Sequence, residues 1–211
     1  MSVPLSVLSV PLSVLRASMG HMERLILPFA SAGLWAAWLA EHHADTPAGL
    51  WLKIAKKGTG VDTVTYAEAL DEALCYGWID GQRGSFDEVW FLQRFTPRRA
   101  RSRWSLINTD KVQALITQGR MQPTGLREIE AAKADGRWAA AYEGQARIQV
   151  PEDLQAAFDT HPGAAEFFAT LNSQNRYAVL YRIQDAKRPQ TRADRIAKFA
   201  AMLARGEKIY P

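Results

Sequence analysis

The sequence predicts an α+β protein, with a small antiparallel or mixed sheet and helices in the N-terminal half and an all-helical C-terminal half. Strand-like apolar runs occur only between residues 50 and 97, and helix-like periodicity alone follows them. Too few strands alternate with helices to build a Rossmann-type parallel sheet. With 47% hydrophobic and 23% charged residues, the composition is that of a globular protein that can bury a core.

Helix and strand patterns alternate in the first part of the chain. Ser31 is placed to cap a helix that runs to about residue 44, with Leu34, Trp35, Trp38 and Leu39 on one face. Residues 50–55 then form a short strand. Thr65 and, three residues later, Glu68 predict a capping box, and Gly77 ends the helix that it begins.

Two further strands are expected before residue 98. Residues 78–80 begin a second strand, which turns at Gly81 or Gly84, and residues 89–95 form a third strand that Pro97 ends.

Only helices are expected in the rest of the chain. Asn108 or Thr109 caps one helix, and Thr124 caps the next. Three helical stretches follow Pro151, at residues 152–159, 164–184 and 191–204, and the second of these could be interrupted near residues 172–175.

The chain divides into three regions. Residues 2–8 and 9–15 both read SVPLSVL, and a proline interrupts each copy, so residues 1–24 are expected to be a disordered leader. The predicted α/β domain covers residues 25–145 and the helical domain covers residues 146–211. The join contains Gly144 and ends before Pro151.

Residue content excludes several kinds of site. Cys75 is the only cysteine, so an intrachain disulfide cannot form, and a cytoplasmic location is favoured. His42 and His43 are neighbours on a helix and point about 100° apart, and no metal-binding spacing occurs. No phosphate-binding loop, nucleophile motif or apolar run of about 20 residues is present. We therefore predict no metal, no cofactor, no membrane span and no catalytic residue.

The candidate site is a basic and aromatic segment together with a polar turn. Residues 94–104 contain five arginines, whose guanidinium groups suit phosphate or carboxylate, and flanking rings that could stack on bases. Residues 78–83 add an acid, an amide and a tryptophan beside glycines, as in many small-ligand pockets. The alternatives are that Asp80 caps its own backbone and that the arginines pair with acids of neighbouring helices. The predicted ligand-binding residues are Trp78, Asp80, Gln82, Arg83, Arg94, Arg98, Arg99 and Trp104.

Several strings carry a resemblance to a known family. They are GLWLKIAKKG at 49–58, TYAEALDEALCYGWIDGQ at 65–82, FLQRFTPRR at 91–99, GRMQP at 119–123, AKRP at 186–189 with TR at 191–192, and MLARGEK at 202–208. Over residues 25–211 the chain resembles the YdeI/OmpD-associated family, also called bacteriocin-protection proteins. The resemblance implies an α/β part, a helical OmdA-like part at residues 146–211, and a role in tolerance to antimicrobial peptides or bacteriocins. It implies no catalytic residue, cofactor or substrate.

Three functions remain in competition. We expect a non-enzymatic cytoplasmic binding or stress-tolerance protein that recognises a small anionic ligand through residues 78–83 and 94–104. One alternative is an enzyme in which Asp80 acts as acid or base and Arg83 or Arg94 stabilises negative charge. The other is a nucleic-acid-binding protein with one continuous positive face. That face would consist of Arg98, Arg101, Arg188 and Arg192.

Overall fold

The computed structural model describes residues 24–144 and 148–211, so the predicted leader, apart from Arg24, lies outside the described residues. Contacts group the chain into two compact units. The first comprises the described residues up to Ser102 together with Lys111–Ala132, and the second comprises Arg103–Asp110 and Lys133–Pro211. The predicted α+β class is confirmed, because the four strands of the described chain form one mixed sheet and its C-terminal half is helical.

The first unit is built on this sheet. Its strands are β1 (Ile26–Pro28), β2 (Leu50–Ala55), β3 (Trp78–Ser85) and β4 (Trp90–Pro97), in the order β1-β2-β4-β3. β1 runs parallel to β2, and the other two pairings are antiparallel. Helices α1 (Ala32–His42) and α2 (Tyr66–Cys75) lie wholly in the same unit.

The two helices cover one face of the sheet, which we call the inner face. Trp35 of α1 is fully buried, lies 5.8 Å from the ring of Phe95 on β4, and donates its indole N–H to the carbonyl of Ala69 on α2 at 3.0 Å. Because side chains alternate along a strand, buried Leu50 and Leu52 face the same way as Phe95, and Trp51 between them faces the opposite way. The apolar core therefore lies between the helices and the inner face.

Local capping explains where the first two helices begin. The Ser31 hydroxyl accepts the N–H of Leu34 at 3.3 Å, as predicted. The capping box is also confirmed: the Thr65 hydroxyl accepts the N–H of Glu68 at 3.3 Å, and the Glu68 carboxylate accepts the N–H of Thr65 at 2.9 Å. These hydrogen bonds to its charged form lower the pKa of Glu68.

Helices α3 (Leu106–Thr117) and α4 (Pro123–Ala134) both begin earlier than predicted. Ser105, rather than Asn108 or Thr109, supplies the first cap, because its hydroxyl accepts the N–H of Asn108 at 3.2 Å. Thr124 lies inside α4, whose first residue is Pro123, a position where a missing N–H costs nothing.

Four helices form the core of the second unit: α5 (Glu152–Asp159), α6 (Ala164–Thr170), α7 (Ser173–Gln184) and α8 (Pro189–Ala204). Their buried side chains form one apolar cluster that includes Leu154, Phe168, Val179, Phe199 and Leu203. The predicted interruption of the long helical stretch is confirmed, since Asn172 caps α7 by accepting the N–H of Asn175 at 2.9 Å.

The sheet departs from the sequence-based expectation in two places. β1 was not predicted; it has only three residues, and its pairing with β2 is a contact between distant segments. Gly81 and Gly84 do not form the predicted turn but lie within β3, which continues to Ser85. A bulge between Asp80 and Arg83 allows the strand to continue, because the one extra residue of β3 is accommodated without a turn. The side-chain amide of Gln93 donates to the carbonyls of Gly81 and Gln82 at 2.9 and 3.3 Å and holds the bulge in place.

Helix α1 also departs from the prediction in detail. It ends at His42, and Leu34 is 47% exposed, so only Trp35 and Leu39 of the predicted apolar stripe are buried.

Candidate functional site

Trp78 and Asp80 lie on the inner face of the sheet. Trp78 is buried and donates its indole N–H to the carbonyl of His43 at 3.3 Å, which gives it a packing role. Asp80 is half-buried and accepts the phenolic hydroxyl of Tyr66, the first residue of α2, at 2.8 Å. Burial and the neighbouring charge of Asp80 raise the pKa of Tyr66, so its hydroxyl stays protonated. The hypothesis that Asp80 caps its own backbone in a turn is wrong, because it belongs to a strand.

The next two predicted residues lie at and beyond the bulge of β3. Arg83 faces the inner side, where its guanidinium carbon lies 4.0 Å from the centroid of the Phe91 ring. Gln82 is exposed, and its backbone carbonyl accepts from the amide of Gln93.

The arginine-rich stretch is not held out to solvent as one surface. Arg98 is only 7% exposed, whereas Arg99 and Arg101 are exposed. The backbone N–H of Arg98 donates to the carbonyl of Gly77 at 3.0 Å, which joins the end of β4 to the turn before β3. The prediction that Arg98 is free to meet an anionic ligand is therefore wrong.

The end of that stretch belongs to the second unit and is also occupied. Arg103 pairs with Asp185, and it donates to the Tyr181 hydroxyl at 2.6 Å. Trp104 is 2% exposed, and its ring centroid lies 4.9 Å from that of Trp138. Trp104 is thus a core residue rather than a surface for stacking.

The second basic region is largely neutralised within its own unit. Arg192 binds Asp153 at 2.6 Å, and Arg195 lies 3.8 Å from Asp185. The hydrogen bonds between Arg192 and Asp153 lower the pKa of Asp153 and raise that of Arg192. With Arg98 buried and Arg192 paired, the predicted continuous positive face is not formed as proposed, although Arg188 is exposed.

Arg94 is the predicted residue with the most suitable surroundings. It lies opposite Trp51 in the β2–β4 pairing and therefore faces away from the helices. Its guanidinium carbon is 5.9 Å from the Trp51 ring centroid, and one of its N–H groups donates to the carbonyl of Ala48 at 3.2 Å. A ring and a carbonyl thus hold the guanidinium, with no carboxylate beside it in the described residues.

Further cations and rings share this side of the sheet. Arg24 lies 5.6 Å from the centroid of the Trp51 ring. The ammonium of Lys53 lies 4.4 Å from the ring of Phe86 and 4.8 Å from that of Trp90. We call this group the outer sheet face. It consists of Arg24, Trp51, Lys53, Phe86, Trp90 and Arg94.

The strand positions of the outer sheet face are positive, and two acids, Asp87 and Glu88, lie in the exposed turn between Phe86 and Trp90. Asp87 accepts the N–H groups of Val89 and Trp90 there. In the register of β2, β3 and β4, the strand positions that face outward hold no acidic residue. Among the described residues, none of Arg24, Lys53 and Arg94 forms an ion pair. Cation–π contacts at such distances orient a cation without neutralising its charge. The arrangement can therefore attract an anion.

Two glycines of β3 border this face. A Cβ atom added to Gly84 would lie 3.9 Å from the Trp51 ring, and one added to Gly81 would lie 3.7 Å from the Cβ of Arg94. Both positions therefore point outward. With no side chains at these positions, the backbone of the edge strand itself forms the surface beside Trp51 and Arg94.

Sequence reasoning found Arg94 but missed the other members of the outer sheet face. The available pattern was the alternation in which Trp51 and Lys53 share one side of β2, and Trp90 and Arg94 share one side of β4. Only the strand register shows that these two sides coincide. No local rule links them.

The described residues contain no group of three or more His, Cys, Asp or Glu side chains that could hold a metal ion. Within the same ranges, no helix is both long enough and apolar enough to cross a membrane.

Two protein families match parts of the chain. Residues 27–128 match a domain of unknown function (DUF8412). Residues 147–206 match the family described as "Bacteriocin-protection, YdeI or OmpD-Associated". The resemblance predicted from the C-terminal strings is thus confirmed there, whereas the strings between residues 49 and 123 fall in the other match. No curated protein and no solved structure matches the chain.

Proposed function

We propose that the chain, whose residues 147–206 match the family described as "Bacteriocin-protection, YdeI or OmpD-Associated", is a non-enzymatic stress-tolerance protein that binds an anionic ligand. The ligand-binding surface is the outer sheet face of the first unit. The protein would act in the cytoplasm, in tolerance to bacteriocins or antimicrobial peptides.

One observation carries the proposal: the outer sheet face holds three cations beside aromatic rings, without a carboxylate among its strand positions. In the second unit, Arg103, Arg192 and Arg195 face aspartates, whereas Arg182 meets a ring and a carbonyl. The three arginines that face aspartates are neutralised by these partners. The cations of the outer sheet face instead keep their charge available.

The arrangement is also ordered in advance of binding. Arg94 is held by Trp51 and by the Ala48 carbonyl, and Lys53 is held between two rings. Long cationic side chains normally lose conformational entropy when they bind, at about 0.5–1.5 kcal/mol each. Fixing them in the free protein lowers that cost, which supports binding as the role of this surface.

The acid–base alternative centred on Asp80 has less support. The Asp80 carboxylate already accepts a hydrogen bond from Tyr66, whose raised pKa keeps it a donor rather than a base. Arg83 stacks on Phe91 on the same side of the sheet. A pair of side chains that satisfy each other is typical of a structural contact.

The proposal is tested with inorganic polyphosphate as an anionic probe, titrated at several salt concentrations. The R24Q/R94Q variant should bind at least about tenfold more weakly than the original protein, with a flatter dependence of affinity on salt. Neither substitution removes a carboxylate partner, so the melting temperature should change little.

The matched control is K187Q/R188Q, which removes the same two charges from exposed positions of the second unit. It should bind polyphosphate almost as tightly as the unaltered protein. Equal losses in the two variants would mean that only net charge matters, and the assignment of the site would then be wrong.

A further inference from the structure

We infer that the ligand of the outer sheet face is a single-stranded nucleic acid, whose bases stack on the rings and guanidinium groups while its phosphates bind the cations. This inference rests on the proposed function, because it names the chemical class of the anion that the same surface binds. It uses the sheet, rather than the arginine-rich segment after β4.

The mixture of groups favours a ligand that is both charged and aromatic. A simple polyanion needs only cations, whereas the outer sheet face interleaves three cations with Trp51, Phe86 and Trp90. Aromatic rings and guanidinium planes are the groups on which unpaired bases stack in proteins, and lysine and arginine follow the phosphates. Each component of a polynucleotide therefore has a counterpart here.

The open edge of the sheet provides room for the bases. Gly81 and Gly84 leave β3 without side chains beside Arg94 and Trp51, respectively. Neither glycine has a positive φ angle, so turn geometry does not require a glycine at either position. Space for close approach of a flat group explains both.

The dimensions fit a short stretch of single strand. Trp90 and Arg94 are four residues apart on β4, or about 13 Å at the usual rise of a strand. Three inter-strand steps add about 14 Å in the other direction. A four-stranded sheet of this size stacks about two or three bases. A four-stranded face is wider than the helix or two-stranded ribbon that the major groove of duplex DNA admits, so duplex DNA is a poorer fit.

An anionic membrane surface is the competing partner, and it fits less well. Membrane binding requires apolar side chains that protrude beyond the charges. Phe86 is 43% exposed, but Trp51 and Trp90 are half-buried within the sheet. The cations lie over these rings, so little apolar surface protrudes beyond the charges.

The inference is tested by fluorescence anisotropy with labelled single strands of about 12 nucleotides, as both DNA and RNA. The comparison ligands are a duplex of the same sequence, polyphosphate of similar charge, and vesicles of phosphatidylserine and phosphatidylcholine. We expect single strands to bind at least about tenfold more tightly than polyphosphate or duplex, because stacking adds to the charge attraction.

Two kinds of variant separate stacking from charge. F86A removes an exposed ring at the β3–β4 turn, where no folding defect is expected, and W51L removes the central ring. Each should weaken single-strand binding by about three- to tenfold and polyphosphate binding by clearly less, because each ring stacks on bases but also orients a cation. G84V places a side chain against Trp51 and should reduce single-strand binding, whereas G84A makes only ordinary contact and serves as its control.

The outcomes distinguish this inference from the proposed function. Equal affinity for single strands and polyphosphate, with no effect of F86A or W51L, would overturn the inference and leave the anion-binding function standing. Binding to the vesicles in preference to single strands would also overturn it. If neither single strands nor polyphosphate bind, both the inference and the proposed function are wrong.

Discussion

Arg98 and Arg99 are neighbours in the chain, yet their environments differ completely. Arg98 is 7% exposed, whereas Arg99 is exposed. A sequence of adjacent arginines gives no indication of which one turns inward. The distinction depends on the path of the backbone after β4, where the N–H of Arg98 binds the carbonyl of Gly77.

This difference gives a prediction for stability. Arg98→Ala should lower the free energy of unfolding by about 2 kcal/mol or more, since it removes a buried side chain and its packing. Arg99→Ala should change it by less than about 0.5 kcal/mol. Urea denaturation measures both, and equal effects would show that Arg98 is exposed in solution.

Cys75 provides a second prediction at the scale of one residue. Burial raises the pKa of its thiol to about 11, with a further contribution from the nearby charge of Glu72. At pH 8 only about one molecule in a thousand would carry the reactive thiolate. Iodoacetamide should therefore modify the folded protein far more slowly than the urea-unfolded protein, with the product followed by mass spectrometry. A native rate close to that of a free thiol would contradict the burial.

Among the elements, those set by neighbouring residues were predictable and those set by distant contacts were not. Neighbouring residues determine three of the elements: the capping box of α2, the strand β2 and the break before α7. β1 forms only because β2 is beside it, and β3 continues through two glycines because the Gln93 side chain supports the bulge. The outer sheet face depends on strand register in the same way, so only Arg94 among its six residues was named in advance.

The capping box of α2 supports a prediction about its first turn. Thr65→Ala should destabilise the protein by about 1 kcal/mol, because the N–H of Glu68 loses its acceptor. The same variant should raise the pKa of Glu68 part of the way toward its ordinary value, since it removes the hydrogen bond from the Thr65 hydroxyl but keeps the larger contribution of the backbone N–H. Thermal unfolding and NMR titration of the Glu68 carboxyl carbon measure the two effects. An unchanged stability in the variant would show that the Thr65 hydroxyl does not cap the helix.

The junction of α2 and α4 leads to a prediction opposite to helix propensity. A Cβ atom added to Gly125 of α4 would lie 2.3 Å from the carbonyl oxygen of Cys75, which no flexible side chain can relieve. Gly125→Ala should therefore destabilise the protein by about 2–3 kcal/mol, although alanine is the better helix former.

Gly33 of α1 is the matched control for this substitution. Its nearest neighbour would be the Ser31 hydroxyl at 3.9 Å, so Gly33→Ala should be neutral or stabilising by up to about 1 kcal/mol. Chemical denaturation of both variants is the measurement, and a stabilising Gly125→Ala would refute the close approach of the two elements.

Across the described residues, cationic side chains have two kinds of partner. In the second unit, Arg103, Arg192 and Arg195 meet aspartates, although Arg182 there meets a ring and a carbonyl. On the outer sheet face of the first unit, the cations meet rings and a carbonyl. The net charge of +4 does not reveal this division, because it sums both kinds. The function that we propose follows from where charge is left uncompensated.

The ion pairs make stability depend on acid pH. Arg192 lowers the pKa of Asp153 by hydrogen bonding, so folding keeps this carboxylate ionised to lower pH than in the unfolded chain. Its contribution is present above the unfolded pKa of about 3.9 and is lost as pH falls through the lower folded value. Because the pair is largely exposed, the contribution should be below about 1 kcal/mol.

Asp153→Asn should therefore reduce stability at pH 6 and make it less sensitive to acid between pH 5 and pH 2. Asp62→Asn, at an exposed position of the first unit, should leave the pH profile unchanged. The measurement is the midpoint of urea unfolding across that pH range. A profile for Asp153→Asn that parallels the original protein would show that the pair does not stabilise the fold.

The burial of the single thiol makes this protein simple to equip with a spectroscopic label. Cys75 is buried inside the first unit, so a maleimide dye should not react with its thiol in the folded state. A cysteine introduced at Gln82, which is exposed at the edge of the sheet, would then be the one position that takes the dye. Such a molecule would report, by a change in emission, the binding of a ligand at the neighbouring surface, without first replacing the native cysteine.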